Sequence, residues 1–307
     1  MFVLHKGSQY CSECAVDSLV ACSDCGQMIW ENDRCPKCRS LNGVHEYRYK
    51  PVPNFYGKSG PYFGIELEVA IKDGNKDVCI EAQKLSKQIR GWAYLKHDGS
   101  ISYPGFEIVT HPMSTGWIAH NHKTFDQIFD LKNQGFFSPE TCGMHIHVSK
   151  NDIPEKQIRK ILQFFYCSEK NKNFIIAISE RGLREFTRWA AFSSYDNFDL
   201  DYLSKNKSGG NRGAINLGSP GTPSIEFRIF RGTLNKATFF KNIEFIQALL
   251  LFTKGENRNL EDMTITEFCK FVHNRKKQFI NLDPFLCGIK KNCSLQESET
   301  KSLDLVA

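Results

Sequence analysis

Residues 62–71, YFGIELEVAI, alternate without a break. Phe63, Ile65, Leu67, Val69 and Ile71 share one parity, and Gly64, Glu66, Glu68 and Ala70 share the other. Side chains leave a β-strand on alternate faces, so this segment is predicted as a strand with one apolar face. Its other face carries two carboxylates about 7 Å apart by backbone rise. That separation suits two adjacent metal ions better than a two-pronged grip on one. An isolated Glu-x-Glu is most simply a solvated strand face. Here, however, the same polar-face pattern recurs in two later strands.

Gly143 to Ser149 sets His145 and His147 against Met144, Ile146 and Val148, and Ser224 to Phe230 sets Glu226 and Arg228 against Ile225, Phe227 and Ile229. Glu107, followed by Ile108 and Val109, lies on a fourth expected strand. Carboxylates with imidazole and no thiolate suit Mg2+ or Mn2+ rather than structural zinc. Arginine on the same face adds a planar fork that matches phosphate oxygens. Acids, metals and arginine together describe a site that moves or hydrolyses a nucleotide phosphoryl group. The chain has no G-x-x-x-x-G-K-S/T loop, which excludes a P-loop NTPase.

The twelve cysteines of this 307-residue chain divide into two groups. Cys11/Cys14, Cys22/Cys25 and Cys35/Cys38 are three C-x-x-C pairs, the spacing of zinc-knuckle thiolates. Cys22, Cys25, Cys35 and Cys38 make the best closed quartet. Cys11 and Cys14 then need two more ligands, which His5 and His45 can supply, or the pairs interleave. The expected role is structural or partner-binding, since an all-cysteine quartet leaves no open position for catalysis. The remaining six cysteines read as reduced, buried small hydrophobes.

Apolar and charged contents of 41% and 24% are those of an ordinary globular chain. There is no eighteen-residue apolar run and no secretory pattern at Met1 to Tyr10, so a cytoplasmic protein without a membrane partner is expected. The net charge of +6 is mild, and residues 1–58 balance seven basic against six acidic positions, which argues against nucleic acid as a partner.

Three divisions follow: a zinc module and linker over 1–57, a catalytic domain over 58–288, and a polar tail over 289–307. Beyond the linker the pattern predicts helices near 78–90, 117–131 and 236–252. It also predicts strands near 92–95, 106–110, 144–148, 214–217 and 224–230. Asp152 and Glu155 read as a capping box opening another helix, and Thr264 with Glu267 as the cap of the last one. Residues 171–208 show no clear period and are expected to be mixed helix and loop. Strands exceed what a βαβ repeat supplies, so the fold class is α+β with an antiparallel-rich sheet.

The segment Cys142-Gly-Met-His-Ile-His-Val-Ser149 resembles the Gly-Met-His-x-His-x-Ser stretch of glutamine synthetases. With the Glu-x-Glu strand, His97 to Ser100, Glu107 to Thr110, Arg212, Asn216-Leu217, Ile225 to Arg228 and Phe230 to Leu234, the motif order resembles the glutamine synthetase and glutamate–cysteine ligase superfamily. The closest likeness is to its small amidoligase branch, over roughly residues 60–255. The chain departs from glutamine synthetase by its smaller size and its cysteine module.

The resemblance implies a glutamine-synthetase-like domain, a curved and mostly antiparallel sheet packed by helices. It also implies an ATP-dependent ligase that joins a carboxylate to an amine through an acyl phosphate. Glu66, His145 and Glu226 would hold the metal that bridges the nucleotide phosphates, and Glu68 and Glu107 the metal nearer carboxylate and amine. Arg228 and Arg212 would stabilise the transferring phosphoryl group. His147 would contact nucleotide phosphate, Asp98 would deprotonate or position the attacking ammonium, and Arg231 ranks last as a phosphate or substrate contact. ATP, Mg2+ or Mn2+ and structural Zn2+ are the implied cofactors. The substrates are a carboxylate and an amine, small or carried on a peptide or protein, and an oligomer is compatible with the pattern. The rivals are a guanidino-kinase-like enzyme that stops at phosphoryl transfer, a metal-dependent hydrolase on the same face, and a zinc-dependent adaptor with a degenerate ligase site.

Overall fold

The computed structural model describes residues 2–5, 8–21, 28–30, 40–41, 43–72, 78–166, 168–192, 213–218, 222–255 and 257–289. At the N-terminus, β1 (Phe2–His5) pairs with β2 (Ser8–Cys11), and β3 (Leu19–Ala21) pairs with β4 (Met28–Trp30). Helix α1 (Ser12–Asp17) lies between these two pairs in the chain.

The remaining strands form one sheet around β7 (Tyr62–Ile71). They are β5 (Ser40–Leu41), β6 (Val44–His45), β8 (Ala93–Lys96), β9 (Gly105–Thr110), β10 (Met113–Ser114), β11 (Phe136–Phe137), β12 (Gly143–Ser149), β13 (Ile215–Asn216) and β14 (Ser224–Arg231). The order is β13-β14-β12-β7-β9-β8-β6-β5, with β10 and β11 paired to the two ends of β7. Among the described strand pairs, only β6–β8 is parallel. A mostly antiparallel sheet with helices makes the fold α+β.

The predicted apolar parity of β7 is buried throughout, from Phe63 at 0% exposure to Ile71 at 1%. Met144, Ile146 and Val148 of β12 and Ile225, Phe227 and Ile229 of β14 are equally buried. Helices α2 (Val78–Gln88), α5 (Glu155–Tyr166), α6 (Glu169–Ser179) and α8 (Lys236–Lys254) contribute to the same core. Phe165 of α5 packs on Phe227, and Phe245 of α8 packs on Phe230. Each such buried ring contributes roughly 1.5–3 kcal/mol. This core fixes the strand register, because a one-residue slip of any strand would bury its acids and expose its apolar row.

Four details depart from the sequence reading. The sheet extends back to Ser40, so residues 40–57 are built into the domain expected to begin at 58. His97 N donates to His45 O, and Tyr49 is only 4% exposed. The single helix expected over 117–131 is instead α3 (Thr115–His120), α4 (Asp126–Phe129) and two 3-10 turns. Asn121 closes α3 by donating both its backbone and its side-chain N–H to Trp117 O.

Helix α5 starts at Glu155, one turn beyond the expected cap at Asp152. The stretch 171–208, expected as mixed helix and loop, does contain most of α6 and all of α7 (Leu183–Trp189). Thr264 does cap a helix, α9 (Ile265–His273), but another follows over 282–289. Glu244 of α8 anchors its start, accepting from Asn281 N and Leu282 N at 2.9 and 2.8 Å. Among the described residues no helix is long and apolar enough to cross a membrane.

Candidate functional site

The register gathers the polar parities of four strands. His145 pairs with Glu66, His147 lies between Gly64 and Glu226, and Glu68 lies opposite Glu107. A bulge between β12 and β14 sets Arg228 and Ile229 against His145. His145 Nδ1 stands 3.3 Å from Glu66 Oε2 and 3.7 Å from Glu226 Oε1. His147 Nε2 stands 3.4 Å from Glu66 Oε1. Arg228 Nη1 pairs with Glu226 Oε1, and Asn216 Nδ2 donates to Glu226 Oε2 at 3.0 Å.

On this sheet face two sets of donor atoms converge, each to within 4.8 Å: Glu66, His145 and Glu226, and Glu68, Glu107 and His145. His145 belongs to both. On the second side, Gly143 N donates to Glu68 Oε2 at 2.7 Å, and Lys96 Nζ lies 3.4 Å from Glu107 Oε2. Gly143 is glycine for a steric reason. A Cβ there would come within 2.5 Å of Arg181 Nη2 and 2.8 Å of His145 Nε2.

The electrostatics of the two sides are opposite. Burial pushes the Glu66 carboxyl up, but His147 and His145 outweigh it and hold Glu66 well below the usual carboxylate range. Glu226 is likewise lowered, since His147 and Arg228 more than reverse its burial. Burial acting on His147 is overridden by Glu66, which raises that imidazole to about 9. Glu107, in contrast, is pushed up to about 8 by burial and by Glu66, with Lys96 only partly offsetting them. Burial also raises Glu68, against His145 and the Gly143 N–H.

Two clefts meet at Glu66. A polar one of about 710 Å³ is lined by Glu68, Lys96, Glu107, His145, Arg181 and Arg228, among others. A second, of about 490 Å³, has Pro51, Phe55, Tyr62, Tyr94, Pro112 and Pro223 in its wall, beside Glu66 and His147. The segment expected as module and linker contributes to both, through Tyr47, Arg48 and Lys50 on one side and Pro51, Pro53 and Phe55 on the other.

Of the other residues singled out in the sequence, Asp98 lines the polar cleft, where its Oδ1 accepts from Ser100 N at 2.7 Å. Asn216 both orients Glu226 and shapes a turn by accepting from Gly218 N. Arg231 lines a separate cleft with Phe137 and Glu180. Arg212, Cys22, Cys25, Cys35 and Cys38 lie outside the described residues, as does the tail beyond 289. Cys11 and Cys14 converge, with sulfurs 3.0 Å apart and Cys14 N donating to Cys11 Sγ. The His45 ring stacks on Tyr49.

Sequence reasoning missed Lys96 and Arg181. Lys96 had a readable signal, sharing its parity with Tyr94 on the strand that pairs with Glu107. Arg181 had none, because it follows α6 in the stretch without period.

No known family profile matches the sequence, and neither does any curated protein. Among solved structures, the chain is similar to the ligase PafA in its complex with the prokaryotic ubiquitin-like protein Pup. The TM-score is 0.32 at 11% identity, over 66% of this chain and 50% of that one. The chain thus spans half the length of the ligase chain it is similar to.

Proposed function

We propose that this protein is an ATP- and Mg2+-dependent carboxylate–amine ligase that forms an amide through an acyl phosphate. The observation that carries the reading is the pair of donor triads sharing His145 on one sheet face, next to Arg228. Their oxygen-rich donor chemistry, with one imidazole and no thiolate, fits Mg2+ or Mn2+. Such ions, when bound, neutralise phosphate charge and polarise the oxygens of the group being transferred.

Glu66, His145 and Glu226 would hold the ion on the nucleotide side, and Glu68 and Glu107, again with His145, the ion on the substrate side. Nucleotide phosphate would lie against His147 and Arg228. Arg228 Nε is buried without a hydrogen-bond partner among the described residues, a donor suited to an incoming phosphoryl oxygen. A substrate carboxylate oxygen attacks the γ-phosphorus and ADP leaves. The amine nitrogen then attacks the acyl carbon, phosphate departs, and the nitrogen gives up a proton, for which Asp98 is placed in the cleft wall. Hydrolysis without a nucleotide would leave Arg228 with no anion to receive.

The decisive experiment measures ADP release with carboxylate and amine panels, and detects the product by mass. Turnover should rise only when both partners are present. Undiminished turnover in Glu66→Gln would sink the reading. The cysteine pairs are proposed to bind zinc, with one or two ions per chain expected by elemental analysis of purified protein. A chain that contains none removes that module.

A further inference from the structure

Arg181 is 6% exposed, yet it lines the polar cleft. Its Nε donates to Phe230 O at 3.1 Å, while its Nη1 is buried with no hydrogen-bond partner among the described residues. Leaving a buried guanidinium N–H unpaired is costly, and the groups that match its fork are carboxylate or phosphate oxygens. Arg228 differs in already being paired with Glu226.

What holds Arg181 in place lies on the other side of the turn. Glu180, which closes α6, has a left-handed backbone at φ 54° although it is not glycine. Lys241 of α8, 2% exposed, donates to Glu180 Oε2 at 2.8 Å and to Ile178 O at 2.7 Å. It therefore ties down both the last turn of α6 and the residue preceding Arg181. The Phe285 ring, 4.3 Å away, closes over the same ammonium.

We propose that Lys241 is a positioning residue: with Glu180 it fixes the turn from which Arg181 presents its unpaired Nη1 to an anionic group of the substrate. The proposal rests on the ligase reading of the cleft. Lys241 itself touches no substrate. A lysine would not be buried here for stability alone, because a hydrophobe of similar volume replaces many buried ion pairs without loss. Glu180 is 39% exposed at its side chain, so removing Lys241 leaves that carboxylate solvated.

The test uses the full chain and two probes, glutarate and its uncharged analogue glutaramide, with Mg·ADP binding and thermal midpoint followed in parallel. By calorimetry the unsubstituted protein should prefer glutarate by about tenfold or more, and Lys241→Met should cut that preference to about threefold or less. Midpoint and Mg·ADP affinity should hold. In an Arg181→Met background, Lys241→Met should change nothing further, as expected if the two act as one unit. The proposal is overturned by an unsubstituted protein with no preference, by a preference that survives Lys241→Met, or by one that falls together with midpoint and Mg·ADP affinity. If the preference behaves as expected but Mg·ADP never binds, the ligase reading fails and the Arg181 receptor stands.

Discussion

Glu66 and Glu68 are two residues apart on one strand, yet they sit in opposite electrostatic settings. Glu66, with Glu226, is surrounded by His145, His147 and Arg228, and both carboxyls are held below their usual range. Glu68, with Glu107, is buried more deeply among acids, and both are raised. The difference arises from which strand lies on which side of β7. β12 and β14 bring cations to one side of the site; β9 brings another acid to the other, with Lys96 beside it and Arg181 acting on Glu68. On one side neighbouring cations favour the charged carboxylates. On the other, burial favours the protonated ones.

The comparison breaks most completely at His145, the donor common to both triads. His145→Ala should reduce ligase turnover by a hundredfold or more, on the order expected for a lost metal ligand, and should weaken Mg2+ binding on both sides at once. Glu66→Gln and Glu107→Gln should separate the sides. The first should abolish ADP formation under all conditions. The second should spare Mg·ADP binding, measured by calorimetry, but lose the stimulation by carboxylate and amine. Identical phenotypes for the two would show that the strand does not divide into a phosphate side and a substrate side.

A smaller effect should appear in the pH dependence of thermal stability of the metal-free chain. The folded-state pKa of Glu107 is raised to about 8, so its contribution is fully present below the ordinary carboxylate value of 4.5 and is lost as pH rises through about 8. His147, raised to about 9 from 6.5, loses its contribution over the same alkaline limb. Glu66 and Glu226 are lowered, so theirs is present above the usual carboxylate range and is lost as pH falls through their depressed values. The midpoint should therefore be highest at mildly acidic pH. Glu107→Gln should flatten the alkaline limb and Glu66→Gln the acid limb; unchanged limbs in both would remove the electrostatic contrast.

The two sides were also unequally legible in the sequence. Strict alternation in 62–71, 143–149 and 224–230 gave away the strands, because a half-buried strand must repeat every two residues. The grouping of Glu66, Glu68, Glu107, His145, His147 and Glu226 followed from those parities once the motif order was noticed. What alternation could not supply was anything contributed by irregular backbone. The bulge opposite His145 cannot be seen in either strand alone. Arg181 comes from a turn whose left-handed residue is a glutamate rather than the glycine that would mark it. Residues 50–61 read as a linker because their prolines and glycines signal breaks, yet Pro51 and Pro53 line a cleft wall.

The finest distinction concerns Lys96, a cation on the acidic side. Its Nζ is 3.4 Å from Glu107 and 5.5 Å from the Tyr47 ring centroid, with 11% of the side chain exposed. A bound Mg2+ would compete with this ammonium for the same carboxylate. Lys96→Met therefore has two consequences of opposite sign. Without the lysine, Glu107 holds its proton to higher pH, so Mg2+ binding near neutrality should weaken. Above the pH at which Glu107 ionises, the repulsion is gone and Mg2+ should bind more tightly. Near a partly solvated site the change should stay within about tenfold in either direction. The curve of Mg2+ affinity against pH for Lys96→Met should thus cross that of the unsubstituted chain, which calorimetry over a pH series would reveal. Parallel curves would mean that Lys96 only packs against Tyr47, and that the acidic side is set by burial alone.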